Sequence, residues 1–312
     1  MNRRALVTGG TGFIGRQTIA PLIERGFDVW LTSRGPLPPD VSALAAHEPG
    51  RIHHRVIDLL AADGPASVIE EIRPTHLLHL AWDTRHGVFW TSPENDAWVA
   101  ASRRLLEAFA HGGGHRFVGA GTCVEYAPVD HPISETTGVL HAATPYGRAK
   151  LAFRQRLREV ADQSGISTAW GRVFHLFGPY EQLPRLVPAA IDAMVRGEPF
   201  LATPGTQIRD YSSVVDVAAA FAAILDSDLE GDVNVASGVP ATVAGVLHRI
   251  GDIIGRPDLL RLGAISPPPH DVPVLAADAT RLRTHFAGLF PVPLEGRLQE
   301  MVDWWRCHRT SC

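Results

Sequence analysis

Thr8-Gly9-Gly10-Thr11-Gly12-Phe13-Ile14-Gly15 follows a short apolar run, Ala5-Leu6-Val7, and opens a helical pattern that continues through Gln17-Thr18-Ile19-Ala20-Pro21-Leu22-Ile23. Strand, glycine loop and helix, in that order, aim backbone N–H groups and a helix N-terminus at a diphosphate. Each glycine has a mechanical task in this reading: Gly9 makes the tight turn, Gly12 lets backbone approach phosphate, and Gly15 packs the helix on its strand. The stretch therefore predicts a dinucleotide site at the start of the chain.

Outward from that loop, apolar runs at 4–8, 28–32, 51–57, 76–81, 116–121 and 167–175 alternate with helical patterns at 12–25, 63–72, 94–111 and 144–164. Such alternation is the signature of repeated βαβ units, and so of an α/β protein on a parallel sheet. A helix at 40–47 is the weaker reading, because prolines 36, 38 and 39 crowd its start. After Gly178-Pro179 the pattern turns irregular, with a helix near 183–196, a strand-turn stretch near 199–211, a helix at 213–226 and a short strand at 232–236. Helical patterns at 241–254 and 294–307, separated by the proline-rich 266–273, finish the chain. With the N-terminal sheet committed to a cofactor, substrate contacts are expected from this C-terminal part.

At 312 residues and 45% hydrophobic, the chain can build one large domain with a smaller one attached. The basic start Met1-Asn2-Arg3-Arg4 meets the glycine loop after a single short apolar run, and no window approaches the roughly 18 apolar residues of a membrane helix. A cytoplasmic protein without a membrane partner is expected. A net charge of -4 and no basic run leave no footprint for nucleic acid. Cys123, Cys307 and Cys312 lack metal-ligand spacing, against a zinc site or a disulfide framework. Among the histidines, His53/His54 and His76/His79 fall in strand-like runs whose spacing sends the side chains to opposite faces, so no metal is expected.

The tip of the second strand decides between the nicotinamide dinucleotides: a carboxylate there accepts from a ribose 2′-OH, and a basic group neutralises a 2′-phosphate. The strand Asp28-Val29-Trp30-Leu31 ends in Thr32-Ser33-Arg34, and Asp28 sits too far back to serve. Arg34 offers a planar fork to a phosphate and Ser33 a hydroxyl donor, so NADP(H) is expected. NAD(H) is the alternative, with Arg34 solvated or lying on the adenine. Asp58, ending the third strand and followed by Leu59, is placed to take the adenine amino group.

Tyr146-Gly147-Arg148-Ala149-Lys150 sets a tyrosine and a lysine four apart, on one face of a helix. A phenol with pKa near 10 needs help to exchange protons at neutrality, and a cation about 4 Å away at an effective dielectric near 20 favours phenolate by roughly 4 kcal/mol. Thr122, ending the fifth strand, can hydrogen-bond the same reacting oxygen. A ketone held by Thr122 and Tyr146 gains a proton as a hydride reaches its carbon.

Several segments now fall into one pattern. The glycine loop, His79-Leu80-Ala81, the Thr122 to Tyr126 segment, Pro145 through Lys150, Arg172-Val173-Phe174-His175-Leu176-Phe177-Gly178-Pro179, Arg209-Asp210-Tyr211 through Asp216-Val217-Ala218, and Asn234 through Gly238 resemble the extended short-chain dehydrogenase/reductase family. That family includes nucleotide-sugar epimerases, dehydratases and reductases, and the likeness runs in order along nearly the whole chain. It implies a doubly wound parallel (Rossmann) sheet over 1–178, with 208–238 returning to it, and a smaller substrate domain from 179–207 and 239–312. It implies Thr122, Tyr146 and Lys150 as catalytic residues. Cofactor contacts are expected from Gly9, Thr11, Gly12, Phe13, Ile14, Gly15, Ser33, Arg34, Asp58, Leu59, Leu80, Ala81, Trp82, Tyr146, Lys150 and Phe174. Substrate contacts are expected from Thr122, His175 and Arg209. Arg209 resembles the family arginine that meets a nucleotide diphosphate, an ion pair with neighbouring Asp210 being its structural alternative. His175 departs from the asparagine usual in sugar-nucleotide epimerases.

The same resemblance sorts the reactions. Dehydratases carry an Asp-Glu pair directly after the catalytic threonine, where this chain has Cys123-Val124. The 3,5-epimerase/reductases place a cysteine two residues after the catalytic hydroxyl, whereas Cys123 follows Thr122 directly and points to the other side of an extended segment. The 4-epimerases keep NAD bound and usually show the acidic residue missing at Ser33-Arg34, while NADPH suits a net reduction. The expected reaction is NADPH-dependent reduction of a nucleotide-diphosphate-linked 4-keto-6-deoxyhexose. An NAD-dependent nucleotide-sugar 4-epimerase, a small-ketone reductase and a nonenzymatic NADP-sensing protein are the alternatives. The segment Ala81-Trp82 through Phe89-Trp90-Thr91-Ser92-Pro93-Glu94-Asn95 adds aromatic and polar groups where the family's substrate sits, its rings to stack on a sugar or, for Trp90 and Trp98, to fill a core. The family commonly dimerises through the helices at 94–111 and 144–164, and Ala97, Ala101, Leu105 and Ala108 recur at helical spacing, so a homodimer is expected.

Overall fold

In chain order, residues 3–268 and 271–309, the ones a computed structural model describes, run β1 (Arg4–Thr8), α1 (Ile19–Glu24), β2 (Asp28–Ser33), α2 (Pro39–His47), β3 (Ile52–Val56), α3 (Gly64–Ile72), β4 (His76–His79), α4 (Glu94–His111), β5 (Arg116–Thr122), α5 (Pro145–Ser164) and β6 (Ser167–Val173). They continue through β7 (His175–Phe177), α6 (Leu186–Val195), β8 (Phe200–Ala202), β9 (Ile208–Ser213), α7 (Val214–Leu225), β10 (Gly231–Val235), β11 (Pro240–Thr242), α8 (Val243–Ile254), β12 (Leu260–Leu262), β13 (Val274–Leu275), α9 (Thr280–His285) and α10 (Leu294–Arg309). Met1 and Asn2 of the basic start, Pro269 and His270 of the proline-rich stretch, and Cys312 lie outside the described residues.

Two units emerge, the first from the chain up to Ala127 with Val139–Val173 and Ala218–Val235, the second from Pro128–Gly138, Phe174–Val217 and Ala236 onward. In the first unit seven strands form one sheet in the order β10-β6-β5-β4-β1-β2-β3, every neighbouring pair parallel. Strand order reverses between β1 and β4, the switch point at which open α/β sheets take ligands beyond their C-terminal ends. Two-sided burial explains the near-continuous apolar runs: Ala5, Leu6, Val7, Leu77, Leu78, Phe117 and Val118 have no exposed surface. Val68, Ile69, Ile72, Leu105, Phe109, Phe153, Leu157 and Val160 bring α3, α4 and α5 onto that sheet in one apolar cluster.

In the second unit β9 pairs antiparallel with β11 on one side and parallel with β13 on the other, and its end pairs parallel with β7. A separate two-stranded piece joins β8 to β12. Helices α6, α8 and α10 close a second apolar cluster around Val187, Ile191, Val246, Ile250, Leu298 and Val302.

Four sequence readings change. The helix expected at 12–25 is a turn followed by a 3-10 segment, Gly15–Thr18, and only the six residues of α1 are α-helical. The cause is the tightness of the loop: a Cβ on Gly15 would lie 2.2 Å from the Gly9 carbonyl oxygen, so the chain is still folding back on itself where a helix was expected. The strand expected over 167–175 breaks at Phe174, because β6 ends its pairing with β5 and β10 while β7 pairs with β9 instead. Residues 128–138, 174–178, 208–217 and 236–238 fall in the second unit rather than in the first, the stretch 208–217 because β9 finds its partners there. The prolines before 40–47 prove to be a start signal, with Pro39 as the first residue of α2.

Candidate active site

The glycine loop joins the C-terminal ends of β1 and β4. Gly9 has φ +69°, where residues with side chains are strained, and a Cβ on it would lie 2.9 Å from the Ala81 nitrogen. The floor of the loop is therefore closed to any side chain. Above it runs one cleft lined by Gly9, Thr11 and Gly12 of the loop, Thr32, Ser33 and Arg34 at the end of β2, Ile57, Asp58 and Leu59 after β3, and Ala81, Trp82 and Trp98. Bare backbone at the switch point, a carboxylate beyond β3 and a polar tip on β2 fit an adenine dinucleotide. Gly15 packs under the loop, Phe13 and Ile14 lie half-buried in the turn that follows it, and the Leu80 N–H extends the ladder to the Thr8 carbonyl at 3.1 Å.

The β2 tip differs in one respect from what its sequence suggests. Ser33 Oγ donates to the Gly35 carbonyl at 2.6 Å and lies 2.7 Å from His54 Nε2, which then supplies the proton of that contact. The donor expected of Ser33 for a 2′-phosphate is already engaged, and its oxygen remains as an acceptor. Arg34 beside it is exposed. Asp58 Oδ1 accepts from the Leu60 N–H at 3.0 Å, which orients the carboxylate at the cleft.

Tyr146 and Lys150 ride on α5. That helix starts where it does because Thr144 caps it, its Oγ1 accepting from Gly147 N at 3.1 Å, and Pro145 supplies the first turn. Gly165, at φ +73°, ends it. A Cβ on Gly147 would lie 2.9 Å from the Val124 carbonyl oxygen, so the start of α5 packs directly on the 3-10 turn Cys123–Glu125 that follows Thr122. Thr122, Tyr146 and Lys150 thus belong to one buried corner of the first unit, at 9%, 7% and 3% exposure. The Tyr146 N–H donates to the Trp90 carbonyl at 3.2 Å, tying the loop after β4 to the helix. Three rings from that loop stand edge-on to the phenol: Phe89 at 4.8 Å, Trp90 at 5.9 Å and Trp82 at 6.4 Å between centroids.

Lys150 is desolvated. Its Nζ donates to the Ala120 carbonyl at 3.0 Å, and burial, opposed by the charge of Glu125, lowers its pKa to about 7. His79, sandwiched between Thr8 Oγ1 at 2.7 Å and Ser102 Oγ at 2.8 Å, is held neutral by burial and the Lys150 charge, with a pKa of about 3. Both ring nitrogens of this strand histidine are occupied by hydroxyls.

Beneath Thr122 lies a network that spacing does not reveal. Glu125, with no exposed surface, accepts from the Thr122 N–H at 2.8 Å, from Trp170 Nε1 and from Arg172 Nε at 2.7 Å. Arg172 also donates to the Tyr126 hydroxyl at 2.9 Å and to Asp232 at 3.1 Å, and Arg154 forks onto the same Asp232. The sequence signal was an arginine and a glutamate in segments that otherwise read as core. Cys123 is a small buried residue with 5% of its surface exposed.

Phe174, His175 and Arg209 belong to the second unit. Arg209 pairs with Asp271 at 2.6 Å rather than with neighbouring Asp210. Asp210 instead accepts from Ser237 Oγ at 2.7 Å and Gly238 N at 2.7 Å, because consecutive residues of a strand point to opposite faces. The His175 ring lies 5.5 Å from Tyr211; its Nδ1 is buried without a partner among the described residues, and burial with Arg209 and Arg185 nearby lowers its pKa to about 3. Phe174 is buried at 5%. Trp98 fills the core at 7% exposure while Trp90 is 36% exposed.

Half of the apolar stripe on α4 is reassigned, while Ala97 stays exposed and Ala108 half-buried. Ala101 and Leu105 are buried within the first unit's own core, and the outer side of the helix pair carries Arg103, Glu107, Arg156 and Glu159 in ion pairs. No helix among the described residues is long and apolar enough to cross a membrane.

A parallel sheet with a glycine-loop cleft at its switch point and a tyrosine-lysine helix alongside defines an enzyme of the extended short-chain dehydrogenase/reductase type. Residues 5–236 match the NAD dependent epimerase/dehydratase family, and the chain belongs to it. The chain is 27% identical to the UDP-glucose 4-epimerase of Rhizobium meliloti (strain 1021) over 281 residues, covering 82% of this chain and 83% of that protein. It is 25% identical over 343 residues to the UDP-N-acetyl-alpha-D-glucosaminuronate decarboxylase of Bacillus cytotoxicus, with 98% of both covered. Among solved structures, the UDP-glucose 4-epimerase of Thermus thermophilus in complex with NAD superposes with a TM-score of 0.83 at 26% identity, covering 97% of this chain and 99% of that one.

Proposed function

We propose that the chain interconverts C4 epimers of a nucleotide-diphosphate sugar using a bound nicotinamide dinucleotide. The observation that carries this reading is the dinucleotide-fitting cleft in the same unit as the buried Thr122, Tyr146 and Lys150, and the named activity of the relatives supports it. It replaces reduction of a 4-keto sugar, the expectation drawn from the β2 tip, as the leading reading. Tyr146 takes the proton of the C4 hydroxyl and returns it to the ketone oxygen after the sugar presents its other face. Lys150 favours the phenolate, and Thr122 hydrogen-bonds the oxygen on which charge grows. A bound nicotinamide supplies acceptance and return of hydride at C4.

The cofactor would be held by Gly9, Thr11 and Gly12 at its diphosphate, Asp58 and Leu59 at its adenine, Ser33 and Arg34 at its adenosine ribose, and Lys150 at the other ribose. Phe13, Ile14, Leu80, Ala81, Trp82 and Phe174 are further proposed contacts, and His175 and Arg209 are proposed for the sugar nucleotide, making the second unit the substrate-binding one. NAD suits the β2 tip, because Ser33 spends its proton on Gly35 and its remaining lone pair can only accept, which matches a 2′-OH donor and not a 2′-phosphate. Water elimination is disfavoured, since the carboxylate nearest Thr122 is Glu125, ion-paired and buried. A homodimer is part of the proposal, and through α4 and α5 it would join faces that carry ion pairs beside Ala97 and Ala108.

The second reading, NADPH-dependent reduction of a 4-keto-6-deoxyhexose, is favoured by exposed Arg34 with no carboxylate beside it at the β2 tip. Purified protein incubated with UDP-glucose and no added cofactor, followed by NMR of the nucleotide sugars, separates the two. Formation of the C4 epimer is expected. No epimer, together with NADPH oxidation by a nucleotide-linked 4-keto-6-deoxy sugar, would install the second reading.

A further inference from the structure

We propose that Trp82 is a positioning residue: its indole face holds the Lys150 ammonium in its buried place one turn along α5 from Tyr146, and Asn95 holds the indole. The relevance to catalysis rests on the function proposed above; the contact itself does not. Lys150 Nζ lies 3.8 Å from a Trp82 ring centroid. Trp82 Nε1 donates to Asn95 Oδ1 at 2.9 Å. Asn95 is 3% exposed, and its Nδ2 donates to the carbonyls of Phe89 at 2.8 Å and Ser92 at 2.9 Å. Two carbonyl acceptors on one side of the amide force its oxygen toward the indole, so the ring plane is set by backbone.

The surroundings leave the ammonium few other sources of stabilisation. Ala120 of β5 contributes one carbonyl. Glu125, from the turn after β5, contributes charge but is shared with Arg172. His79 of β4 is neutral, and Tyr146 stands on the same helix with its ring centroid 5.8 Å away. An aromatic face against a desolvated cation is therefore a substantial part of what keeps Lys150 protonated, on the order of 0.5–2 kcal/mol. Leucine at position 82 fills the volume without a π cloud, whereas phenylalanine keeps the face and loses only the N–H.

Lys150 is the single lysine of the chain. Protein grown with [13C]lysine thus gives one ε-methylene signal that reports this group alone. In the unaltered protein the ε-proton resonance is expected upfield of free lysine through the indole ring current; a resonance at the free-lysine position overturns the proposal before any variant is made. The pH midpoint in Trp82→Leu is expected roughly 0.4–1.5 units below that in Trp82→Phe, the span of one cation–π contact. Equal midpoints overturn it. In Asn95→Ala the upfield displacement is expected to shrink as the ring gains freedom. Turnover is read separately: its pH limb in Trp82→Leu should move in step with the NMR midpoint. Shifted midpoints in a chain that epimerises no sugar would refute the function and leave the contact standing, whereas turnover with unshifted midpoints would refute the positioning role alone.

Discussion

In the proposed function Tyr146 and Lys150 carry different tasks, and single substitutions should separate them. Tyr146→Phe keeps the ring that Phe89, Trp90 and Trp82 enclose but removes the hydroxyl proposed to exchange the proton. Turnover should fall by roughly 10²- to 10⁴-fold with dinucleotide affinity little changed. Retention of more than about a tenth of the rate in single-turnover measurements would place the proton elsewhere. Lys150 also makes stability depend on pH. Its folded pKa of about 7 lies below the unfolded value of 10.5, so between those limits the unfolded chain binds more protons and stability rises with pH. The unligated protein should gain roughly 2 kcal/mol from this group between pH 7 and 9. Urea unfolding of Lys150→Met at the two pH values should lack that gain; an identical pH dependence in both proteins would mean that the lysine is not desolvated as described.

At the scale of elements, the turn between β5 and α5 is held by charge rather than by apolar packing. Glu125 and Arg172 are both fully buried and satisfy each other, Trp170, Tyr126 and the Thr122 backbone. Arg172→Leu leaves the Glu125 carboxylate without its cation and should cost roughly 3–5 kcal/mol, whereas adding Glu125→Leu should recover a large part of that loss. Chemical denaturation of the single and double variants checks this, and a double variant no more stable than Arg172→Leu would show that the pair is not coupled. The glycine loop offers a second test at this scale. Alanine at 15 puts a methyl 2.2 Å from the Gly9 oxygen, so Gly15→Ala should abolish dinucleotide binding by titration calorimetry. Unchanged affinity would mean that the loop opens at no cost.

At the scale of the molecule, the proposed homodimer makes a prediction of its own. With Ala101 and Leu105 spent in the core of the first unit, α4 and α5 offer a second chain exposed Ala97 and half-buried Ala108 together with the charged Arg103, Glu107, Arg156 and Glu159. Such an interface should weaken with salt, because exposed ion pairs are screened within about 10 Å at 0.1 M. Light scattering should show a dimeric mass at low ionic strength that declines as salt rises; a monomer under all conditions would remove the dimer.

The sequence by itself determined the class of this protein. Alternating apolar runs and helical patterns are local signals, and so are the glycine loop and the four-residue step from Tyr146 to Lys150, since each depends on backbone geometry within a few residues. The tertiary structure alone decided the partners. Arg209 meets Asp271, sixty-two residues away, rather than its neighbour Asp210. Leu105 turns into the core rather than toward a second chain, and the Ser33 hydroxyl is taken up by Gly35 and His54. Lys150 lies against Trp82 and is desolvated, which no spacing encodes. The physical reason is common to all four: periodicity sets which face a side chain occupies, but the group it meets there, and the dielectric around it, depend on segments brought together only by packing.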